Sequence, residues 1–111
     1  GYANFHLVFL LKLARFLGFA PNTEDYTEGY CFDLTRGCFT PSEIHADTLL
    51  CSTDATLLYH LSTTNYEAMS TIAMSRHDRA RLVRYLAAYY ELHTPAFPSI
   101  KSLEILQEVM E

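Results

Sequence analysis

No tryptophan occurs among the 111 residues, so tyrosine and phenylalanine must supply the large core volumes. Glycine is sparse, at positions 1, 18, 29 and 37, too scattered to build a phosphate-cradling loop. Cysteine occurs three times and never as Cys-x-x-Cys: Cys31, Cys38 and Cys51, with His45 between, spell C-x6-C-x6-H-x5-C. Zinc sites usually take two ligands from one tight turn, so this spacing argues for small buried thiols rather than a metal. An odd cysteine count in a chain with no secretory signal points to reduced thiols and a cytoplasmic setting. Leu7 to Leu13 is apolar, yet no basic leader precedes it, and Lys12 and Arg15 share its helix. No apolar run approaches the roughly 18 residues that span a bilayer, so no membrane partner is expected. Positive charge is also scarce: 8 Lys and Arg face 13 Asp and Glu, a net charge of −5. That balance excludes a surface that is basic all round, and any nucleic-acid contact has to be local or shared with another part.

What is present is half hydrophobic and 14% aromatic, the composition of a packed globule, and the length fits one domain, 1–111. The chain opens Gly1-Tyr2-Ala3 without a Met, and the expectation is a C-terminal piece of a longer protein. Residues 3–18, "ANFHLVFLLKLARFLG", predict a helix stopped by Gly18, with Pro21 just beyond. Phe5, Phe9, Leu10, Leu13, Phe16 and Leu17 cover most of its circumference. The remaining narrow stripe holds Asn4, Lys12 and Arg15, with Val8 and Leu11 between them.

"YCFDLTRGCFT", Tyr30 to Thr40, predicts a short β-hairpin closed by Gly37 in a left-handed conformation. A second helix is expected from Ser42 to Leu61, on the spacing of Leu49, Leu50, Thr53, Leu57, Leu58 and Leu61. A less regular stretch follows, with room for a helical turn. Ser75 and Asp78 then form a capping pattern ahead of a helix over 76–93. A last helix is expected after Ser99 or Ser102, with Leu103, Leu106 and Val109 on one face and Ile105 broadening it. The fold class is therefore mainly α, a helical bundle with a small β-hairpin.

Catalytic constellations are not apparent. Cys51 and His60 would face different sides of one helix, and His6, His45, His60, His77 and His93 are scattered. Glu24, Asp25 and Glu28 crowd a polar loop and read as a solvated acidic face. Nothing marks an enzyme, and no cofactor is expected.

The arginines of "SRHDRARLVRYLAAYYELHTP" reward a geometric reading. On the 76–93 helix, Leu82, Val83, Leu86, Tyr89, Tyr90 and His93 form one apolar face. Arg76, Arg81 and Arg84 fall on the opposite side with His77, Ala87, Ala88 and Glu91, either a solvated surface or a nucleic-acid-binding one. Arg79 lies within the apolar stripe. It serves there either as an internal tie to a carboxylate or carbonyl, or as the cationic rim of a partner's pocket.

Four segments in order resemble the bacterial recombination mediator family RecO. "NFHLVFLLKLARFLGFAPN" at 4–22 is similar to the helix that opens that family's C-terminal region, with its closing Leu-Gly-x-x-Pro. "CFDLTRGCF" at 31–39 resembles its hairpin, and 61–93 its Leu-rich segment and Ser-Arg-x-x-Arg helix ending in Tyr-Tyr-x-x-His. "IKSLEILQEVM" at 100–110 resembles its terminal helix.

The resemblance implies a helical C-terminal domain whose N-terminal oligonucleotide-binding fold is absent here. It implies a non-catalytic role in DNA annealing and recombinase loading, with contacts to RecR and to the acidic tail of single-stranded DNA-binding protein. Phe5, Lys12, Arg15 and Arg79 are the candidate partner-binding residues, and Arg76, Arg81 and Arg84 the candidate nucleic-acid-binding ones. Two departures stand out. The cysteine pairs that hold zinc in many relatives are missing, and Ala3-Asn4 precede Phe5 where tail-binding relatives carry basic residues.

Overall fold

The computed structural model describes residues 3–41 and 48–94. Phe5–Leu17 forms α1, an uninterrupted run of residues that tolerate helix, and it stops at Gly18. The Gly18 N–H turns back to the carbonyls of Ala14 and Arg15 at a φ of 96°, a left-handed ending that a side chain would strain. Leu7, Val8, Leu10, Leu11 and Ala14 point into the core. This corrects the expected orientation of the helix. Asn4, read as part of the helix's narrow polar stripe, is buried and donates from Nδ2 to the carbonyls of Met69 (2.9 Å) and Ile72 (3.1 Å). Phe16, read as a core residue, is 86% exposed.

The hairpin consists of β1, Cys31–Asp33, and β2, Cys38–Thr40, with Phe32 opposite Phe39. Asp33 organises its turn: Oδ1 accepts from the N–H groups of Thr35 (2.9 Å) and Arg36 (3.2 Å), and the carbonyl accepts from Gly37 (2.7 Å). Gly37 has the expected left-handed φ, 70°, and a Cβ there would stand 2.9 Å from the Tyr89 hydroxyl.

The β part is larger than a hairpin. Leu49–Leu50 forms β3, antiparallel to β1, giving a sheet in the order β2-β1-β3. The helix expected over 42–61 is therefore corrected to α2 at Ser52–Thr63. Leu50 is wholly buried opposite Phe32, and pairing with a ready strand wins over a helical spacing. Residues 42–47 of that expected helix, His45 among them, lie outside the described residues, as does the expected last helix.

After a 3-10 turn at Met69–Thr71, α3 runs from Arg76 to His93. Its capping box forms as the sequence indicates: the Asp78 N–H donates to Ser75 Oγ, and the Ser75 N–H to the Asp78 carboxylate, both at 3.0 Å. Leu82, Val83, Leu86, Tyr89 and Tyr90 enter the core, and so does Ala87, which was expected on the solvated side.

Three polar tips bind the end of α3 to its neighbours. Tyr89 donates to the Phe19 carbonyl, Tyr90 to the Leu10 carbonyl, and His93 Nε2–H to the Leu34 carbonyl at 2.7 Å. Burial pushes the Tyr89 phenol up to about 12 and raises that of Tyr90 as well. No helix among the described residues is long and apolar enough to cross a membrane.

Candidate partner-binding groove

Because α1 turns Leu11 and Ala14 inward, Lys12 and Arg15 come out side by side, one turn apart. They form one wall of a groove of about 300 Å3. Pro21 and Thr23, in the loop that follows α1, lie on another side, and the end of α2 closes it with Leu61, Ser62 and Thr63. The Ser62 hydroxyl is buried and has no protein partner among the described residues. Neither Lys12 nor Arg15 forms an ion pair among the described residues.

An aromatic ridge continues from the same side of α1. Phe5 stacks on Phe9 (centroids 6.2 Å apart) and on Tyr66 (5.3 Å), and the Lys12 ammonium stands 5.2 Å from the Tyr66 ring centroid. Tyr66, Phe16 and Leu17 are exposed nearby in the chain or on the same helix. The structure thus assembles cations, aromatic faces and a polar floor, a surface suited to an anionic segment with apolar side chains.

Of the expected partner-binding residues, Lys12 and Arg15 line the groove, and Phe5 stands outside it on the aromatic ridge, joined through Tyr66. Arg79 does not line the groove. It is half-buried at the start of α3, and its Nη1 donates to the Met74 carbonyl at 3.0 Å, a local tie across the helix entry.

Arg81 is where the sequence reading is most plainly corrected. Expected on an exposed basic face, it clamps Asp54 with Nε (2.9 Å) and Nη2 (2.7 Å), and Nη2 also reaches Asp78 at 2.7 Å. Asp54 is buried in the first turn of α2, so this fork joins the starts of α2 and α3. The hydrogen bonds to Asp54 and then Asp78 hold the guanidinium firmly protonated. The Ser75 backbone N–H, and after it Arg81, hold the Asp78 carboxyl below the usual carboxylate range. Arg76 and Arg84 are exposed as expected.

Sequence reasoning missed Tyr66, Ser62 and Thr63. They lie in or beside an irregular stretch, and no periodicity announces which of its residues return to α1.

Comparison with known proteins adds an independent line. The family described as "Recombination protein O C terminal" matches residues 1–104. A protein of Phocaeicola vulgatus named "DNA repair protein RecO" is 44% identical over 108 residues, 97% of this chain and 45% of the relative. Proteins of the same name from Bacteroides fragilis and Azobacteroides pseudotrichonymphae are 42% and 38% identical, each over 99% of this chain and 46% of the relative. The chain thus spans slightly under half the length of these relatives. No solved structure matches.

Proposed function

The chain belongs to the recombination protein O C-terminal family, and from that premise we propose that it is a non-catalytic DNA repair module that receives a protein partner in the α1–α2 groove. The occupant we infer is the acidic tail of single-stranded DNA-binding protein, which ends in an apolar residue. Lys12 and Arg15 meet its carboxylates, and Phe5, Phe9 and Tyr66 offer apolar surface beside them.

One observation carries this reading: two adjacent cations with no ion-pair partner among the described residues flank a groove next to stacked aromatic rings. Elsewhere in the molecule a half-buried arginine, Arg81, is engaged by two carboxylates. The relatives' name, DNA repair protein, and the matched family support a repair and recombination role. In this reading strand annealing, recombinase loading and contact with RecR belong to the longer protein. DNA is held mainly by an N-terminal oligonucleotide-binding fold.

The test is fluorescence anisotropy with a labelled tail peptide and a second peptide lacking the terminal apolar residue, with labelled single-stranded DNA alongside. Saturable binding of the full peptide and clear weakening of the shortened one are expected. Silence with both peptides would overturn the groove's assignment. Steeply salt-dependent DNA binding by the chain alone would instead move the role to Arg76 and Arg84.

A further inference from the structure

Two of the three cysteines border the β1–β3 pairing: Cys31 opens β1, and Cys51 directly follows the last residue of β3. β1 and β3 pair antiparallel, with Phe32 opposite Leu50 and Asp33 opposite Leu49. Carried one residue past the end of β3, the same register would set Cys31 opposite Cys51. Cys51 keeps an extended backbone, φ −64° and ψ 163°, before α2 begins, so the strand direction carries through it.

The hydrogen bonds fix which kind of pair this is. The Leu34 N–H donates to the Thr48 carbonyl at 2.8 Å, which makes Leu34 and Thr48 a hydrogen-bonded pair. Such pairs alternate along an antiparallel ladder. Phe32 and Leu50 are then of the same kind, whereas Asp33–Leu49 and Cys31–Cys51 are the non-hydrogen-bonded kind. The opposite side of β1 agrees, because the Asp33 carbonyl turns toward β2 and accepts from Gly37.

Non-hydrogen-bonded pairs bring their Cα atoms to about 4.5 Å, with side chains on one face of the sheet. That separation lies inside the roughly 4.4–6.8 Å span a disulfide requires. Cys38 is placed differently. It opposes Asp33 on β2, so it is diagonal to Cys31, and diagonal neighbours stand about 7–8 Å apart.

We propose that Cys31 and Cys51 are a reversible disulfide site that, when oxidised, clamps the central strand to the entry of α2. All three cysteines are free in the structure. Exposure sets the order of events: Cys51 is exposed and Cys31 buried. A peroxide oxidises the Cys51 thiol to a sulfenic acid and leaves as one water. The Cys31 sulfur then attacks the Cys51 sulfur, the S–O bond breaks, and a second water departs as the S–S bond forms. Two thiols are oxidised, one peroxide is reduced, and a thiol reductant reverses the bond.

The test treats the folded chain with a small excess of hydrogen peroxide, then counts thiols and maps disulfide-linked peptides. The expected product is a monomer lighter by two hydrogens, with a Cys31–Cys51 linkage and Cys38 still free. Its melting temperature should rise by about 10 °C over the reduced form, and reductant should restore the original value. Cys38→Ser should behave like the parent, while Cys51→Ser should lose the shift. Three titratable thiols after treatment would overturn the proposal. So would a linkage through Cys38, or cross-linked dimers in place of the intramolecular bond.

Discussion

Lys12 and Arg15 on α1 and Arg81 on α3 are cations beside a packed core, yet the molecule uses them in opposite ways. Arg81 faces Asp54, a buried carboxylate, and its bidentate fork neutralises that charge while joining two helix starts. Lys12 and Arg15 have no ion-pair partner among the described residues and border a groove instead. The difference teaches where to look for function in this fold. A cation met by the chain's own carboxylate belongs to stability, and a pair without a carboxylate at a concave surface is where the proposed partner contact is to be tested.

The largest effect that sharpens this contrast is on the Arg81 side. Arg81→Ala strands the buried Asp54 charge and should lower stability by about 2–3 kcal/mol in chemical denaturation. Asp54→Ala leaves only a half-exposed guanidinium that water can solvate, and should cost about 1–2 kcal/mol. Equal costs, or a neutral Arg81→Ala, would break the comparison.

Acid should act on the same node. Asp78 has its carboxyl held below the ordinary range, so the stability it contributes is complete above the unfolded carboxylate pKa, near about 3.9. That contribution disappears as pH falls through the depressed folded value. Arg81→Ala removes one of the causes, so the acid unfolding limb should move to higher pH, followed by circular dichroism.

Smaller effects complete the series. Arg79→Ala removes one hydrogen bond to a carbonyl at the helix entry and should cost about 1 kcal/mol or less. Arg76→Ala and Arg84→Ala, on exposed positions, should stay within about 0.5 kcal/mol of the parent.

Much of this frame is written locally. Gly18 and Pro21 end α1, Asp33 and Gly37 make the hairpin, and Ser75 with Asp78 starts α3, each through contacts a few residues apart. What escapes is set by distant pairing. Leu49 and Leu50 fit a helical spacing until Phe32 offers a strand to pair with. Asn4 reads as one more residue of a polar stripe because the carbonyls it serves, on Met69 and Ile72, are more than sixty residues away. Arg79 and Arg81 differ by two positions, about 200° around the helix. Which of them meets a carboxylate depends on how α2 docks, and Asp54 lies 27 residues earlier in the chain. The same limit applies to the groove: Lys12 and Arg15 were visible, whereas Ser62 and Tyr66 arrive only through tertiary packing.

The most direct test measures tail-peptide affinity and melting temperature on one protein, the Lys12→Glu/Arg15→Glu double variant. The account predicts a melting temperature within about 3 °C of the parent, because neither cation forms an ion pair among the described residues and only the Lys12 contact with the Tyr66 ring is lost. It also predicts an affinity reduced by at least about tenfold, the loss of roughly 1.4 kcal/mol of charge-assisted binding. A variant that binds the peptide as tightly as the parent would contradict the assignment of these two cations to a partner.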